Sequence, residues 1–402
     1  MSPVHEPEIR PSRPQAVFLS LGFRPFFTAA GAFAVLSMLV WMQVYVFARR
    51  WPSGELPAAV WHAHEMIYGY AMAVIAGFLL TAVRNWTGSP TLQGTPLLLL
   101  FLLWTAGRIL ILGGENMALT GAAVADTLFA TLLLIAIARP VIKTRQWRQT
   151  GILSKVALLP CANLLFYAGI LGYFPQGVRV GLYSGLYLII ALILVMARRV
   201  LPFFIEKGVG YSVRLTNRRW LDIAGLLAFF LFWIADILQP DGLPAAVLAG
   251  LLFILHSLRM AGWYTQGIWR RPLLWSLYGG YGFLVTGFAL KAAVPIAGVS
   301  PLPALHAFAF GGIGLFTLGM MTRVSIAHTG RDILAPGSML FWMFAAMAFG
   351  AIIRIIPPLV MPAHYVLWIG LSQALWMAAF TAFLFTCLPM LLKPSLGDRR
   401  AG

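Results

Sequence analysis

The sequence predicts an all-α, polytopic integral membrane protein with about twelve transmembrane helices and both termini in the cytoplasm. Of its 402 residues, 60% are apolar and only 10% are charged, whereas an ordinary soluble domain has about 45–50% and about 25%. Long apolar runs recur along the whole chain, and one membrane span needs about 20 such residues. These observations exclude a soluble enzyme and leave no room for a large water-soluble domain.

Apolar runs bounded by glycine, proline and charged residues mark the candidate helices. The segment 1–16 is polar and is predicted to be a cytoplasmic N-terminal segment, 17–392 a single twelve-helix transmembrane domain and 393–402 a cytoplasmic tail. Numbered as spans 1 to 12 in chain order, the candidates are 26–48, 61–83, 95–113, 118–138, 152–172, 178–199, 219–238, 243–263, 272–293, 302–322, 338–356 and 365–390.

The distribution of basic residues predicts the orientation of the bundle. Loops after even-numbered spans hold most of the lysines and arginines, with the largest groups between Arg139 and Lys155 and between Lys207 and Arg219. Loops after odd-numbered spans hold far fewer, chiefly Arg49 and Arg50. Because cytoplasmic loops carry the excess of positive charge, both termini are predicted to be cytoplasmic. The net charge of +17 therefore indicates orientation and does not indicate a nucleic acid partner.

The two cysteines, Cys161 and Cys387, both lie in apolar runs. They provide no disulfide framework, and no Cys-x-x-Cys-His motif is present, which excludes covalently attached c-type haem. Two cysteines also do not favour an iron–sulfur cluster.

Histidines give the strongest indication of chemistry. His62 and His64 begin span 2 and His306 begins span 10, all near the predicted outer face, whereas His256 and His328 lie toward the cytoplasm. Neutral imidazole is a ligand for copper, iron and zinc. His62 and His64 point about 200° apart on a helix, so they cannot share one metal unless the helix starts between them. The alternative interpretation is that these are interfacial polar residues in contact with lipid headgroups.

Span 2 and span 10 also show a weak internal repeat. A shift of 242 positions superposes His64 on His306, Gly69 on Gly311 and Gly77 on Gly319. Both spans run inward, so the repeat would be parallel and would place two equivalent histidines across a pseudo-symmetry axis.

Four further charges lie inside spans, where burial of a charge is costly. Arg108 and Asp126 fall at similar depth on consecutive helices, so a buried ion pair is the default interpretation. Arg354 and Asp236 lie in the same outer half of the membrane. Either arginine could instead bind an anionic group such as a haem propionate. Together with the histidines, these residues favour a metal or haem site and also permit a proton-coupled transporter, whose proton relays are built from the same residue types.

Several sequence blocks resemble the NnrS family. They are Leu21–Phe27, Trp61–Met66, Ala76–Gly88 and Leu305–Gly312, and the resemblance extends through Ala327–Arg331. The family consists of multi-pass proteins of the bacterial inner membrane that contain haem and copper and are linked to nitric oxide metabolism and nitrosative stress. The resemblance thus implies His62, His64, His256, His306 and His328 as candidate metal ligands.

The combined expectation is a protein that binds b-type haem and copper and handles nitric oxide. The repeat predicts His64 and His306 as the haem ligands, with Arg108 and Arg354 as further cofactor-binding residues. Copper would take His62, His256 or His328, although these are predicted at different depths.

If the protein reduces nitric oxide to nitrous oxide with electrons from a quinol or a cytochrome, Glu65 is the predicted proton donor and Tyr68 positions it. The alternatives left open are a nitric oxide scavenger or sensor without turnover, and a proton-coupled transporter.

Overall fold

The computed structural model describes residues 17–51, 56–335 and 337–396. The predicted N-terminal segment 1–16 lies outside the described residues, and the tail is described only to residue 396. The described chain is helical without strands and holds twelve helices long and apolar enough to cross a membrane. This confirms the predicted all-α polytopic fold.

The helices are numbered α1 to α12 and correspond to predicted spans 1 to 12. Their bounds are Phe23–Tyr45, Ala58–Thr87, Gly94–Gly113, Asn116–Lys143, Trp147–Ile170, Gly177–Gly208, Arg219–Leu238, Leu243–Gly262, Pro272–Ala297, Leu302–His328, Met339–Val360 and Pro362–Leu392.

Three helices form the centre of the bundle. The most apolar 18-residue stretch is 78% buried in α2, 78% buried in α6 and 83% buried in α10. In the other nine helices, only 33–44% of that stretch is buried. The central helices contact one another, and the outer helices pack mostly against their neighbours in sequence, with α12 closing against α1. Large apolar side chains such as Leu99, Phe230 and Phe385 cover the outside, as expected of a surface that faces lipid.

Helices α6 and α10 extend beyond their predicted ends. The prediction ended span 6 at Arg199, but α6 continues through Pro202 to Gly208. Proline is tolerated inside membrane helices because neighbouring groups satisfy the backbone carbonyl that it leaves unpaired. Similarly, His328 was predicted just beyond span 10 and is instead the last residue of α10.

Central helices α2 and α10 share an irregular feature. A π-helical segment begins directly after His64 and covers Glu65–Ala71, and another begins directly after His306 and covers Ala307–Leu315. These are the positions that the 242-residue shift superposes. Single π-helical segments inside α-helices occur frequently at functional sites, so this match supports both the repeat and the choice of these two helices for the site.

Candidate functional site

A cavity lies at the end of the bundle where α2 and α10 begin. His62 and His306 both line it, from different helices, together with Arg354 of α11 and Gln373 of α12. The other walls are mostly apolar or aromatic, chiefly Met38, Trp41, Met66, Phe310 and Trp376. We call this space the histidine cavity.

His306 is held in one orientation by its own helix. Its Nδ1 lies 2.8 Å from the carbonyl oxygen of Leu302. Because a carbonyl only accepts, Nδ1 must carry the hydrogen, and the lone pair is therefore on Nε2. That atom accepts a hydrogen bond from Nη2 of Arg354 at 2.9 Å. A backbone carbonyl that fixes the tautomer is the usual support for a metal-binding histidine.

His62 is held by an aromatic ring and not by hydrogen bonds. Its imidazole stacks on Trp41 of α1, with ring centroids 4.8 Å apart and planes 6° apart. The buried Nδ1 of His62 has no hydrogen-bond partner, and neither do Oε1 and Nε2 of the buried Gln373. Buried polar atoms are nearly always satisfied in proteins, so these three atoms are available to hydrogen-bond water or another molecule in the cavity.

The donor atoms around the cavity suit a redox-active metal. Imidazoles and thioethers are both ligands for copper, and His62, His306, Met38 and Met66 supply two of each. Among the residues that the structure describes, no three His, Cys, Asp or Glu side chains converge on one point. A metal here would therefore use the two histidines with other donors.

The same cavity has the polar groups that a b-type haem uses, namely two imidazoles and a guanidinium that can bind a propionate. Its volume is about 130 Å³, and a cavity of roughly 150 Å³ holds a single benzene ring. A copper ion with a diatomic molecule fits that volume, whereas a porphyrin requires the cavity to widen.

His64 points away from the histidine cavity into a second group of side chains. Its Nδ1 lies 2.9 Å from Oε1 of Glu65, and its Nε2 lies 2.9 Å from Oδ1 of Asn163. Nη2 of Arg108 donates to both carboxylate oxygens of Asp126, at 2.5 and 2.6 Å. We call this the buried polar cluster; it comprises His64, Glu65, Arg108, Asp126, Asn163 and Tyr167.

The structure therefore corrects the predicted pairing of His64 with His306. His62, and not His64, shares the cavity with His306, and each is the fifth residue of its helix. The reason is the rotation of about 200° between residues two apart on a helix. Packing turns the His62 side of α2 toward α1 and α10, and the His64 side toward α4 and α5.

Arg108 forms the buried ion pair that its spacing predicted, which confirms that interpretation. Besides Asp126, it contacts Oε1 of Glu65 at 3.1 Å. Two carboxylates occupy its guanidinium, so the structure does not support Arg108 as a propionate ligand. Arg354, by contrast, lines the histidine cavity.

The predicted catalytic residues belong to the buried polar cluster and its surroundings. Glu65 is fully buried and paired with His64 and Arg108. The hydroxyl of Tyr68 donates to the carbonyl oxygen of Gly181 at 2.6 Å. Neither side chain lines the histidine cavity, so the structure does not bring them to His62 and His306.

His256 and His328 lie at the opposite end of the bundle. Nδ1 of His256 is 2.6 Å from the hydroxyl of Tyr281, and the ring of His328 packs against Phe23. Neither residue lines the histidine cavity. His256 and His328 therefore lie at a different depth from His62, as the sequence predicted, and His62 shares its cavity with His306.

Sequence reasoning missed several residues that the structure places at these sites. Gln373 and Asn163 are uncharged polar residues inside apolar helices, and a search for such residues would have found them. Lys291, the one charged residue of α9, lies 2.7 Å from Asp236 and 2.6 Å from Asp241, so the cationic partner of Asp236 is Lys291. The roles of Trp41 and Met38 had no signal in the sequence.

Comparison with known proteins agrees with the sequence blocks. The profile of the family described as NnrS protein matches residues 17–395, which is nearly the whole chain. A comparison with curated proteins gave no match. Because the family match spans all twelve helices and both histidines of the cavity, the chain belongs to the NnrS family.

Proposed function

We propose that the histidine cavity binds a redox-active metal group through His62 and His306, and that the protein handles nitric oxide there. One observation carries the proposal: imidazoles from two central helices face one mostly apolar cavity, with Nε2 of His306 oriented by the Leu302 carbonyl. Membership of the NnrS family connects the chain with nitric oxide.

Each side chain at the cavity has a distinct role in this proposal. His62 and His306 are the ligands, and stacking on Trp41 keeps the His62 ring in place. Arg354 now donates to Nε2 of His306 and must move aside when a metal binds. Its guanidinium is then available to an anionic group in the cavity. The amide of Gln373 is the remaining polar group that can hydrogen-bond a bound molecule.

The metal group is copper, which fits the cavity as it stands, or haem, which the polar groups suit but which needs more room. Bound there, either group would supply a metal centre to which nitric oxide binds and through which electrons reach it.

The reaction we propose to test is the reduction of nitric oxide to nitrous oxide. Two nitric oxide molecules take up two electrons and two protons to give nitrous oxide and water. A quinol or a cytochrome would provide the electrons. The protons need a route to the cavity, and Glu65 with Tyr68 remains the proposed source on the other side of α2.

The first experiment is a reduced-minus-oxidised optical spectrum with metal analysis on the detergent-purified protein. The parent is compared with His62→Ala, His306→Ala and His364→Ala. His364 is an exposed histidine near the same end of the bundle, so it is the matched control. We expect copper or haem in the parent and in His364→Ala, and loss from both cavity variants.

The second experiment measures nitric oxide consumption by membranes with and without an added quinol. Consumption that requires the quinol and yields nitrous oxide supports reduction. Nitric oxide binding without turnover would contradict reduction and would support a scavenger or sensor function instead. A parent without copper or haem after haem- and copper-replete expression would refute the metal site and favour a transporter.

A further inference from the structure

A second cavity lies between α6, α7 and α8, at the end of the bundle opposite the histidine cavity. Its polar lining consists of four arginines, one aspartate and one histidine, and its volume is about 210 Å³. We call it the arginine pocket; the polar lining residues are Arg148, Arg198, Arg199, Asp222, His256 and Arg259. The proposed nitric oxide function uses none of them.

His256 presents a hydrogen-bond donor to this pocket. Its Nδ1 lies 2.6 Å from the Tyr281 hydroxyl and 3.4 Å from Nη1 of Arg259. That arginine nitrogen also lies 3.5 Å from the same hydroxyl. Because a guanidinium can only donate, Nδ1 is the accepting nitrogen and Nε2 carries the hydrogen. His256 is 2% exposed, and its Nε2 has no hydrogen-bond partner.

The free Nε2 faces the part of the pocket left open by a glycine. A methyl group built on Gly225 of α7 would lie 3.8 Å from Nε2 of His256 and 3.7 Å from Nη2 of Arg259. These are ordinary contact distances, so the space next to the two donors is open. The pocket's volume of about 210 Å³ exceeds the roughly 150 Å³ of a cavity that holds a benzene ring, so a polyatomic group fits.

The charge of the pocket selects for an anion. Asp222 is already paired with two of the arginines, with one oxygen 2.7 Å from Arg198 and the other 3.0 Å from Arg259. Four guanidinium groups against one carboxylate leave a net charge of +3 in the lining. A metal cation is disfavoured here, because Nε2 of His256 carries a hydrogen and the surrounding arginines are positively charged. An anion with several oxygens can accept from His256 and the arginines together.

We propose that the arginine pocket binds a phosphate group. Basic pockets between transmembrane helices are known to accept phospholipid headgroups, and free phosphate has the same chemistry. The buried donor on His256 forms the base of the site, and Arg148, Arg198 and Arg199 form its rim. A phosphate oxygen at the base accepts from Nε2 of His256, and the remaining oxygens accept from the arginines of the rim.

The experiment has two arms that distinguish the two sources of phosphate. In the first, inorganic phosphate is titrated into the detergent-purified protein at constant ionic strength, and heat release and thermal unfolding are followed. In the second, the protein is reconstituted in vesicles of phosphatidylglycerol or of phosphatidylcholine, and bound lipid and Tm are measured. We expect saturable binding of inorganic phosphate, or a higher Tm and retained phosphatidylglycerol in the anionic vesicles.

Substitutions in the lining test whether the phosphate group binds in the arginine pocket. Arg148→Gln with Arg198→Gln should weaken binding by roughly a hundredfold, since each of the two charge-assisted hydrogen bonds contributes roughly tenfold. Gly225→Leu should abolish it by filling the space beside His256 without changing any charge. Arg219→Gln removes one arginine at the start of α7, outside the pocket, and should bind like the parent.

Three outcomes would overturn the proposal. One is that neither phosphate nor phosphatidylglycerol binds, which would leave Nε2 of His256 satisfied by water alone. Another is that Arg219→Gln weakens binding as much as the rim variants, which would indicate a general effect of surface charge. The third is binding that is unchanged in Gly225→Leu. Copper and haem content should equal that of the parent in every variant, and this check separates the pocket from the histidine cavity.

Discussion

Removal of Asp126 should strand a buried positive charge at the centre of the buried polar cluster. Arg108 is 5% exposed and Asp126 is 3% exposed. The carboxylate accepts from Arg108 at 2.5 and 2.6 Å, from Tyr167 at 2.8 Å and from Asn163 at 3.3 Å. Loss of one partner of a buried pair costs about 3–5 kcal/mol.

We expect Asp126→Ala to fall at the lower end of this range, at about 3 kcal/mol, because Glu65 still contacts Arg108 at 3.1 Å. That energy corresponds to roughly a hundredfold change in the unfolding equilibrium. Unfolding in mixed detergent micelles, followed by circular dichroism as the denaturing detergent is increased, measures it. Arg139→Met is the control, because Arg139 is exposed on the same helix and should change stability by less than about 0.5 kcal/mol.

A double-mutant cycle tests the physical reason. The double variant of Asp126→Ala and Arg108→Met removes both charges. Its loss of unfolding free energy should therefore be smaller than the sum of the two single losses by about 1.5 kcal/mol or more. If the two single effects instead add to within about 0.3–0.5 kcal/mol, the stability does not depend on the ion pair and the reasoning is refuted.

Three other substitutions test an ion pair, a close helix contact and the polar wall of the histidine cavity. Lys291→Met should destabilise the protein by about 3 kcal/mol in the same unfolding assay, because it leaves Asp236, which is 1% exposed, with the Tyr187 hydroxyl but without its cation; an unchanged midpoint would contradict this. Gly107→Ala should cost about 1–3 kcal/mol, because the added methyl group would overlap the Asp126 carboxylate. Gly250→Ala in α8 should be neutral, because its methyl group would meet only Ala292, at an ordinary contact distance of 3.9 Å. Gln373→Leu should leave the unfolding midpoint unchanged or raise it, because it removes two unpartnered buried atoms. The same variant, loaded with metal, should release nitric oxide faster than the parent; an unchanged release rate would mean that the amide does not contact the bound molecule.

Local properties of the chain predicted the architecture well. Each helix needs about 20 apolar residues in a row and satisfies its backbone hydrogen bonds internally, so twelve spans could be identified without knowing how they pack. The ion pair of Arg108 and Asp126 was also predictable, because a short turn joins α3 and α4 and fixes their relative depth. The family blocks, likewise, were visible in the sequence and are confirmed by the match over residues 17–395.

The site depended on information that no local pattern contains. His62 and His64 are two residues apart, and which of them faces α10 depends on the rotation of α2 about its axis. That rotation is set by packing against α1, α4, α5 and α10, because the stacking of His62 on Trp41 and the contact of His64 with Asn163 require opposite sides of the helix.

The sequence by itself therefore determined the number of helices, the family and the list of candidate histidines. Tertiary structure decided which of them meet. His62, His306, Arg354 and Gln373 come from four helices spread over more than three hundred residues, and they share a cavity only because those helices pack side by side. Hydrophobicity places a helix in the membrane at a certain depth but leaves its rotation undetermined, and rotation decides what each side chain contacts.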